Sequence, residues 1–268
     1  MDRGFLFGDG VYEMIPVYGD YIFRLEQHLL RLQNSLDAID IPNPYSHDQW
    51  ETLIGEVLHK NPYSDHRSVY IEITRGAGDR NHIYEDGLVP TVFILCREVD
   101  PNDRRKGVRA ITHKDIRWDY CDIKSISLLP AVLLKQIAKH SDGAHEAILI
   151  KDGVVTEGAA SNVFMVKNGK VLTPPKDNRL LSGITRDLII ELLNENSIPC
   201  EEKQVTDIEL RNAEEIWITS SVMEIVPVIQ LDGNNVGNGL PGNLWKKIHE
   251  LFEAYKKDII ETFIISEK

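Results

Sequence analysis

Cysteine is scarce in this 268-residue chain, and basic charge is outnumbered. Cys96, Cys121 and Cys200 are too few and too widely spaced for a metal-ligand pair or a disulfide framework, and no metal is expected. The odd count suits a reducing cytoplasm. Cys121 leaves two readings open, a reactive thiol or a small buried hydrophobe; the second is the commoner fate of a free cysteine. Lys and Arg total 30 against 42 Asp and Glu, a net charge of −12, which argues against nucleic acid or an anionic membrane as the main partner. Long apolar runs are also missing. The run Val-Phe-Ile-Leu-Cys at 92–96 stops far short of the ~20 residues that cross a bilayer. Met1-Asp2-Arg3-Gly4 lacks the basic and then apolar stretches of an export signal.

What is present is a folded globular composition, 42% apolar and 27% charged, long enough for two lobes. The charged, turn-forming stretch at 97–106 divides a small lobe, 1–100, from a larger one, 106–268. In the first, 11–18 and 68–75 read as strands, with Pro16 near an edge or bulge. Leu25, Leu29, Leu32, Leu36 and Ile39 mark one face of a helix, and a second helix covers 49–59. In the larger lobe, Asp152-Gly153 and Asn168-Gly169 are hairpin turns, the first following a strand at 147–150 and the second joining strands at 163–166 and 171–172. Strands at 215–219 and 226–231 follow, with helices at 129–140, 184–194 and from 243 to about 259. Strands and helices do not alternate regularly. The fold class is therefore α+β, with a mixed, barrel-like sheet.

Three polar signatures exceed the needs of a core. Lys124 stands between Ile123 and Ile126 in a segment that reads as a strand. Burial there would disfavour the ammonium and leave a nucleophile for an aldehyde, although a strand-edge lysine reaching water would look the same. Glu157 sits where a strand breaks into Gly158-Ala159-Ala160, small residues that let a flat ring approach, while Ser161 and Asn162 offer hydrogen bonds to a cofactor; a surface turn is the plainer alternative. Gly183-Ile184-Thr185 opens a helix whose free amides attract a phosphate, unless Ser182 merely caps them. Thr219-Ser220-Ser221 ends a strand and adds hydroxyls. A lysine, an acid for a ring nitrogen and a phosphate turn are together what pyridoxal phosphate requires.

The motifs Phe7-Gly-Asp-Gly-Val-Tyr-Glu13, His28-x-x-Arg31-Leu, Thr74-Arg75-Gly76, the Lys124 segment, Thr156-Glu157-Gly158, Ser161-Asn162, Gly183-Ile-Thr-Arg-Asp and Glu224-Ile-Val-Pro-Val occur in this order over nearly the whole chain. In them the sequence resembles the fold-type IV pyridoxal-phosphate enzymes: branched-chain aminotransferases, D-amino-acid aminotransferases and aminodeoxychorismate lyases. The resemblance implies a small α/β lobe, here without its usual first strands, and a larger pseudo-barrel lobe. It implies that Lys124 carries the cofactor, that Glu157 pairs with the ring nitrogen, and that Arg31, Ile184, Thr185 and Ser221 hold the phosphate. Lys135, in the following helix, is expected to be solvated. Tyr12, Arg80-Asn81-His82 and the approach Ile116-Arg-Trp-Asp-Tyr-Cys-Asp-Ile-Lys124 resemble the D-amino-acid branch. There the tyrosine and an Arg-x-His pair from the neighbouring subunit hold the substrate α-carboxylate, which implies a homodimer acting on an amino acid and a 2-oxo acid. The lyase, the branched-chain aminotransferase and a cofactor-binding protein without turnover remain alternatives.

Overall fold

A computed structural model describes residues 1–62, 64–99 and 104–266. The chain forms two compact units, Met1–Pro101 with Ile123–Leu128, and Asn102–Asp122 with Leu129–Lys268. The lobe boundary expected near Asp100 lies outside the described residues. The six-residue excursion means that Lys124 clusters with the first unit.

In the first unit, α1 (Arg3–Phe7) leads into β1 (Gly10–Tyr18) and β2 (Tyr21–Ile22), then α2 (Leu25–Asp37), α3 (His47–His59), β3 (His66–Thr74) and β4 (Thr91–Glu98). The strands form an antiparallel sheet in the order β2-β1-β3-β4. Because β2 covers only Val17 and Tyr18, Pro16 falls on an open edge, where its missing N–H costs no ladder bond. Alternation sends Val11, Ile15 and Val17 of β1 and Val69, Ile71 and Ile73 of β3 to one face. That face packs on Leu29, Leu32 and Leu36 of α2 and on Trp50, Ile54 and Leu58 of α3. A reciprocal cap between Ser46 and Gln49 starts α3 two residues before the expected helix.

The second unit contains β5 (Val108–Lys114), α4 (Leu129–His140), β6 (Glu146–Lys151), β7 (Val154–Gly158), β8 (Asn162–Lys167), β9 (Lys170–Thr173), α5 (Ile184–Glu195), β10 (Cys200–Glu202), α6 (Asp207–Arg211), β11 (Glu215–Ser220), β12 (Glu224–Leu231), β13 (Asn234–Asn235) and α7 (Asn243–Ser266). Its mixed sheet runs β10-β9-β8-β11-β12-β5-β6-β7, with β13 on β12. The turns at Asp152-Gly153 and Asn168-Gly169 carry positive φ at both residues, as tight hairpins demand. Val163 and Met165, Ile216 and Ile218, and Val226 and Val228 fill one core, while Phe164 stacks on Trp217 at 5.9 Å. β5 was not expected. Its sequence, Val108-Arg-Ala-Ile-Thr-His-Lys114, shows no clean alternation, and the chain just past it delivers two residues of the site. Among the described residues no helix is long and apolar enough to cross a membrane.

Candidate active site

Lys124 does not lie in a strand. Ile123 and Ile126 bracket a bend with one isolated bridge, Val11 to Ser125. Long-range partners fix the backbone here, where a ladder had been expected. The Lys124 carbonyl accepts from the Tyr12 N–H at 2.9 Å, and its own N–H donates to Ser35 Oγ of α2 at 3.2 Å. The ammonium Nζ lies 4.2 Å from the centre of the Tyr12 ring, so β1 and α2 together aim the lysine.

Behind Tyr12, on the core face of β1, is a carboxylate that sequence reasoning gave no role. Glu13 is fully buried; its Oε1 accepts from Arg31 Nε at 2.8 Å and its Oε2 from Arg31 Nη2 at 2.9 Å. His28 Nδ1 lies 2.7 Å from the same Oε2. Burial alone would raise the Glu13 pKa, but Arg31 and His28 hold it well below the carboxylate range. Burial also lowers His28, against the pull of Glu13. Arg31, expected at a phosphate, thus has two nitrogens engaged by Glu13.

Tyr12 is half-buried and neighbours Tyr70, ring centres 5.7 Å apart. Arg80 and His82 stand exposed on the loop between β3 and β4, the His82 ring 5.4 Å from Phe7. No hydrogen bond or ring contact joins Tyr12 to either of them among the described residues.

The second unit gathers the other expected residues. Glu157, on β7, is buried with both carboxylate oxygens engaged: Oε1 accepts from Arg117 Nη1, and Oε2 from Asn162 Nδ2 at 3.1 Å and the Leu181 N–H at 3.1 Å. Arg117 is itself clamped by Asp115, through Nε at 3.0 Å and Nη2 at 2.8 Å, and donates to the Arg179 carbonyl at 3.0 Å. Thr156 Oγ1 donates to Asp115 Oδ2 at 2.9 Å. Burial raises the Glu157 pKa to about 7, with Arg117 opposing it. Asp115 is lowered, since its bonds to Arg117 outweigh burial. The pair Asp115–Arg117 is the piece that sequence reasoning missed. Its signal, an acid and an arginine with one residue between them just past β5, straddles the start of the Ile116–Lys124 motif, which in the sequence marks only the approach to Lys124.

Ser161 donates its hydroxyl to Glu146 at 2.9 Å, a fully buried acid, and Asn162 Nδ2 also donates to the Leu181 carbonyl at 2.9 Å. Both therefore brace the turn below Glu157. Lys135 is less free than expected, with Nζ donating to the His145 carbonyl and lying 3.5 Å from Glu146. Gly183 caps α5 with no side-chain bond, leaving first-turn amides available beside buried Ile184 and Thr185. A Cβ at 183 would meet Asn162 Oδ1 at 1.9 Å, which is why glycine stands here. Thr219 Oγ1, at the end of β11, is buried without a partner among the described residues, and Ser220 Oγ accepts from the Met223 N–H at 3.3 Å. Cys121 is buried and its thiol is pushed up to about 11 by burial, so it is a poor nucleophile.

Comparison with known proteins places the chain in a family. Residues 10–231 match the family model for amino-transferase class IV. The chain is 42% identical over 249 residues to a D-alanine aminotransferase of Bacillus licheniformis, covering 92% of this chain and 87% of the relative. It is 40% identical over 256 residues to one from Listeria monocytogenes serotype 1/2a (strain 10403S), covering 94% and 88%. Among solved structures, the branched-chain amino acid aminotransferase of Escherichia coli superposes with a TM-score of 0.87 at 27% identity, covering 95% of this chain and 88% of that one. A putative 4-amino-4-deoxychorismate lyase of Legionella pneumophila shares the fold, with a TM-score of 0.86 at 24% identity over 94% and 93%.

Proposed function

This chain belongs to the class IV aminotransferase family, and we propose that it transfers amino groups between D-amino acids and 2-oxo acids with pyridoxal phosphate. The observation that carries the D-specific reading is the likeness to D-alanine aminotransferases along nearly the whole chain.

The residues present fit the cofactor. A dianionic phosphate suits the first-turn amides at Gly183, Ile184 and Thr185 and the Thr219 hydroxyl, unpartnered among the described residues, with Ser220 and Ser221 as further donors; the family resemblance would add Arg31. A pyridine nitrogen suits Glu157, a carboxylate that burial raises to about 7 against the pull of Arg117. Pyridoxal phosphate supplies an electron sink for charge developing at the substrate Cα. The chain supplies the rest. Lys124 Nζ would hold the cofactor and, once the substrate amine has displaced it, would take the Cα proton as general base. Glu157 would keep a proton on the ring nitrogen, while Asp115, Thr156 and Asn162 hold Arg117 and Glu157 in register. Arg80 and His82, with Tyr12, take the α-carboxylate, as arginine forks do.

We place the carboxylate donors Arg80 and His82 across a homodimer. The exposed apolar side chains Leu129, Val132, Leu133 and Ile137 on α4 support a second copy as partner. The three free cysteines support a cytoplasmic setting.

The deciding experiment incubates the cofactor-loaded protein with D- and L-amino acids and 2-oxoglutarate. D-alanine and its analogues should react fastest. Preference for L-leucine, or release of pyruvate from aminodeoxychorismate, would overturn the D-specific reading. Bound cofactor with no reaction toward any amino acid would overturn turnover itself.

A further inference from the structure

Asp2-Arg3-Gly4, Phe7-Gly8-Asp9 and Thr74-Arg75-Gly76 take no part in the chemistry above, yet they form one network. The Arg3 guanidinium is only 4% exposed. Its Nε donates to Asp9 Oδ2 at 2.8 Å, Nη1 to the Asn81 carbonyl at 2.6 Å and Nη2 to the His82 carbonyl at 3.4 Å. One buried fork therefore grips the main chain on both sides of the Asn81–His82 peptide. Asp9 is fixed in turn, since Arg75 Nε donates to the same Oδ2 at 2.9 Å. Arg75 is anchored on the carbonyls of Ile39 at 2.6 Å and Asp40 at 2.9 Å, and its guanidinium lies 3.8 Å from the Tyr84 ring centre. Phe7, at the end of α1, completes the footing, 5.4 Å from the His82 ring and 5.9 Å from the Arg80 guanidinium.

The loop needs this footing. Arg80, Asn81 and His82 are exposed and lie outside any strand or helix. An exposed loop pays ordering entropy on binding unless something has already set its backbone. A cavity of about 380 Å3 is lined by Arg3, Arg80, Asn81 and Tyr84, among others, so fork and loop share one surface. Lysine could not replace the fork, because one ammonium cannot span Asp9 and two carbonyls in fixed planar geometry.

We propose that Arg3, clamped by Asp9, is the positioning residue of this loop and thereby sets the affinity for the substrate α-carboxylate. The proposal rests on the reading that Arg80 and His82 take that carboxylate.

The test compares Arg3→Lys with Arg80→Ala in the cofactor-loaded enzyme. It measures kcat and KM for D-alanine, the inhibition constant of propionate as an unreactive carboxylate, and the cofactor absorption spectrum. Arg3→Lys should raise KM and the propionate constant about tenfold, with kcat within about twofold and an unchanged spectrum. Phe7→Leu, at a half-buried ring, should raise both constants about threefold and keeps the test open should Arg3→Lys fail to fold. If Arg80→Ala weakens propionate while Arg3→Lys and Phe7→Leu do not, the proposal falls and the carboxylate reading stands. If Arg80→Ala changes neither constant, the carboxylate reading falls and takes the proposal with it. A parallel loss of kcat, propionate binding and cofactor in Arg3→Lys would mark a general defect and also overturn positioning.

Discussion

Replacing Arg117 by Gln should move the acid limb of catalysis, because Arg117 is the group that keeps Glu157 charged. Burial has already raised Glu157 to about 7, against the opposing pull of this guanidinium. Two unit charges about 4 Å apart interact by about 4 kcal/mol at an effective dielectric of about 20. Since one pKa unit is about 1.4 kcal/mol, removing Arg117 can raise Glu157 by at most about 3 units, and solvent relaxation will trim this to about 2. At pH 7.5 a 2-unit rise lowers the ionised fraction about 25-fold. The assay is the pH dependence of the half-reaction with D-alanine, followed by cofactor absorption. Wild type should lose rate below about pH 7; Arg117→Gln should lose it about 2 units higher and recover at alkaline pH. Glu157→Gln should be slow, by ~10²–10³-fold, and show no such limb, since a neutral amide has nothing to titrate there. An unmoved limb in Arg117→Gln, or a surviving one in Glu157→Gln, would refute the assignment. Stability gives a check of opposite sense. A raised carboxyl contributes stability that is complete below about pH 4.5 and lost as pH rises through about 7, so Glu157→Gln should flatten the urea midpoint across that window.

Lys124→Ala should abolish transamination yet still bind pyridoxal phosphate weakly; borohydride reduction and peptide mapping of wild type should place the label on Lys124, and a label on Lys135 or Lys139 would refute the assignment. Gly183→Ala should weaken pyridoxal phosphate binding about tenfold, measured by equilibrium dialysis, because the added Cβ forces Asn162 away from Glu157 and Leu181. Glu13→Gln should cost about 3–5 kcal/mol in urea unfolding, since it strips Arg31 of its buried counter-ion. The wild-type contribution of Glu13 is present above the unfolded carboxylate pKa of about 4.5 and lost as pH falls toward its depressed folded value, a loss that Glu13→Gln should lack below about pH 4.5.

Most elements were legible because their signals are local. The leucines of α2, the paired turns at 152–153 and 168–169 and the glycine before α5 each act within a few residues. The backbone at Lys124 was not legible for the opposite reason. Ile123 and Ile126 suggest a strand, but the peptide groups there find Tyr12 and Ser35, far away in sequence. Glu13 lay between these extremes. Once Val11, Ile15 and Val17 are assigned to the core face of β1, the period of two puts Glu13 on that face as well. A carboxylate there demands a cation, and His28 and Arg31, buried among the leucines of α2, are the two at hand.

The charge state of Glu157 belongs to no single segment. The sequence at 156–158 provides the acid, the pairing of β7 with β6 helps bury it, and β5 brings Arg117 to it from 40 residues earlier in the chain. A motif could point to Glu157 without revealing whether it would be ionised, because burial and the arginine act in opposite directions and only topology sets their balance. That balance, near neutrality, makes the charge of Glu157 sensitive to one neighbouring arginine. It is also why Arg117, which need not touch a substrate, should govern the pH range over which the enzyme works.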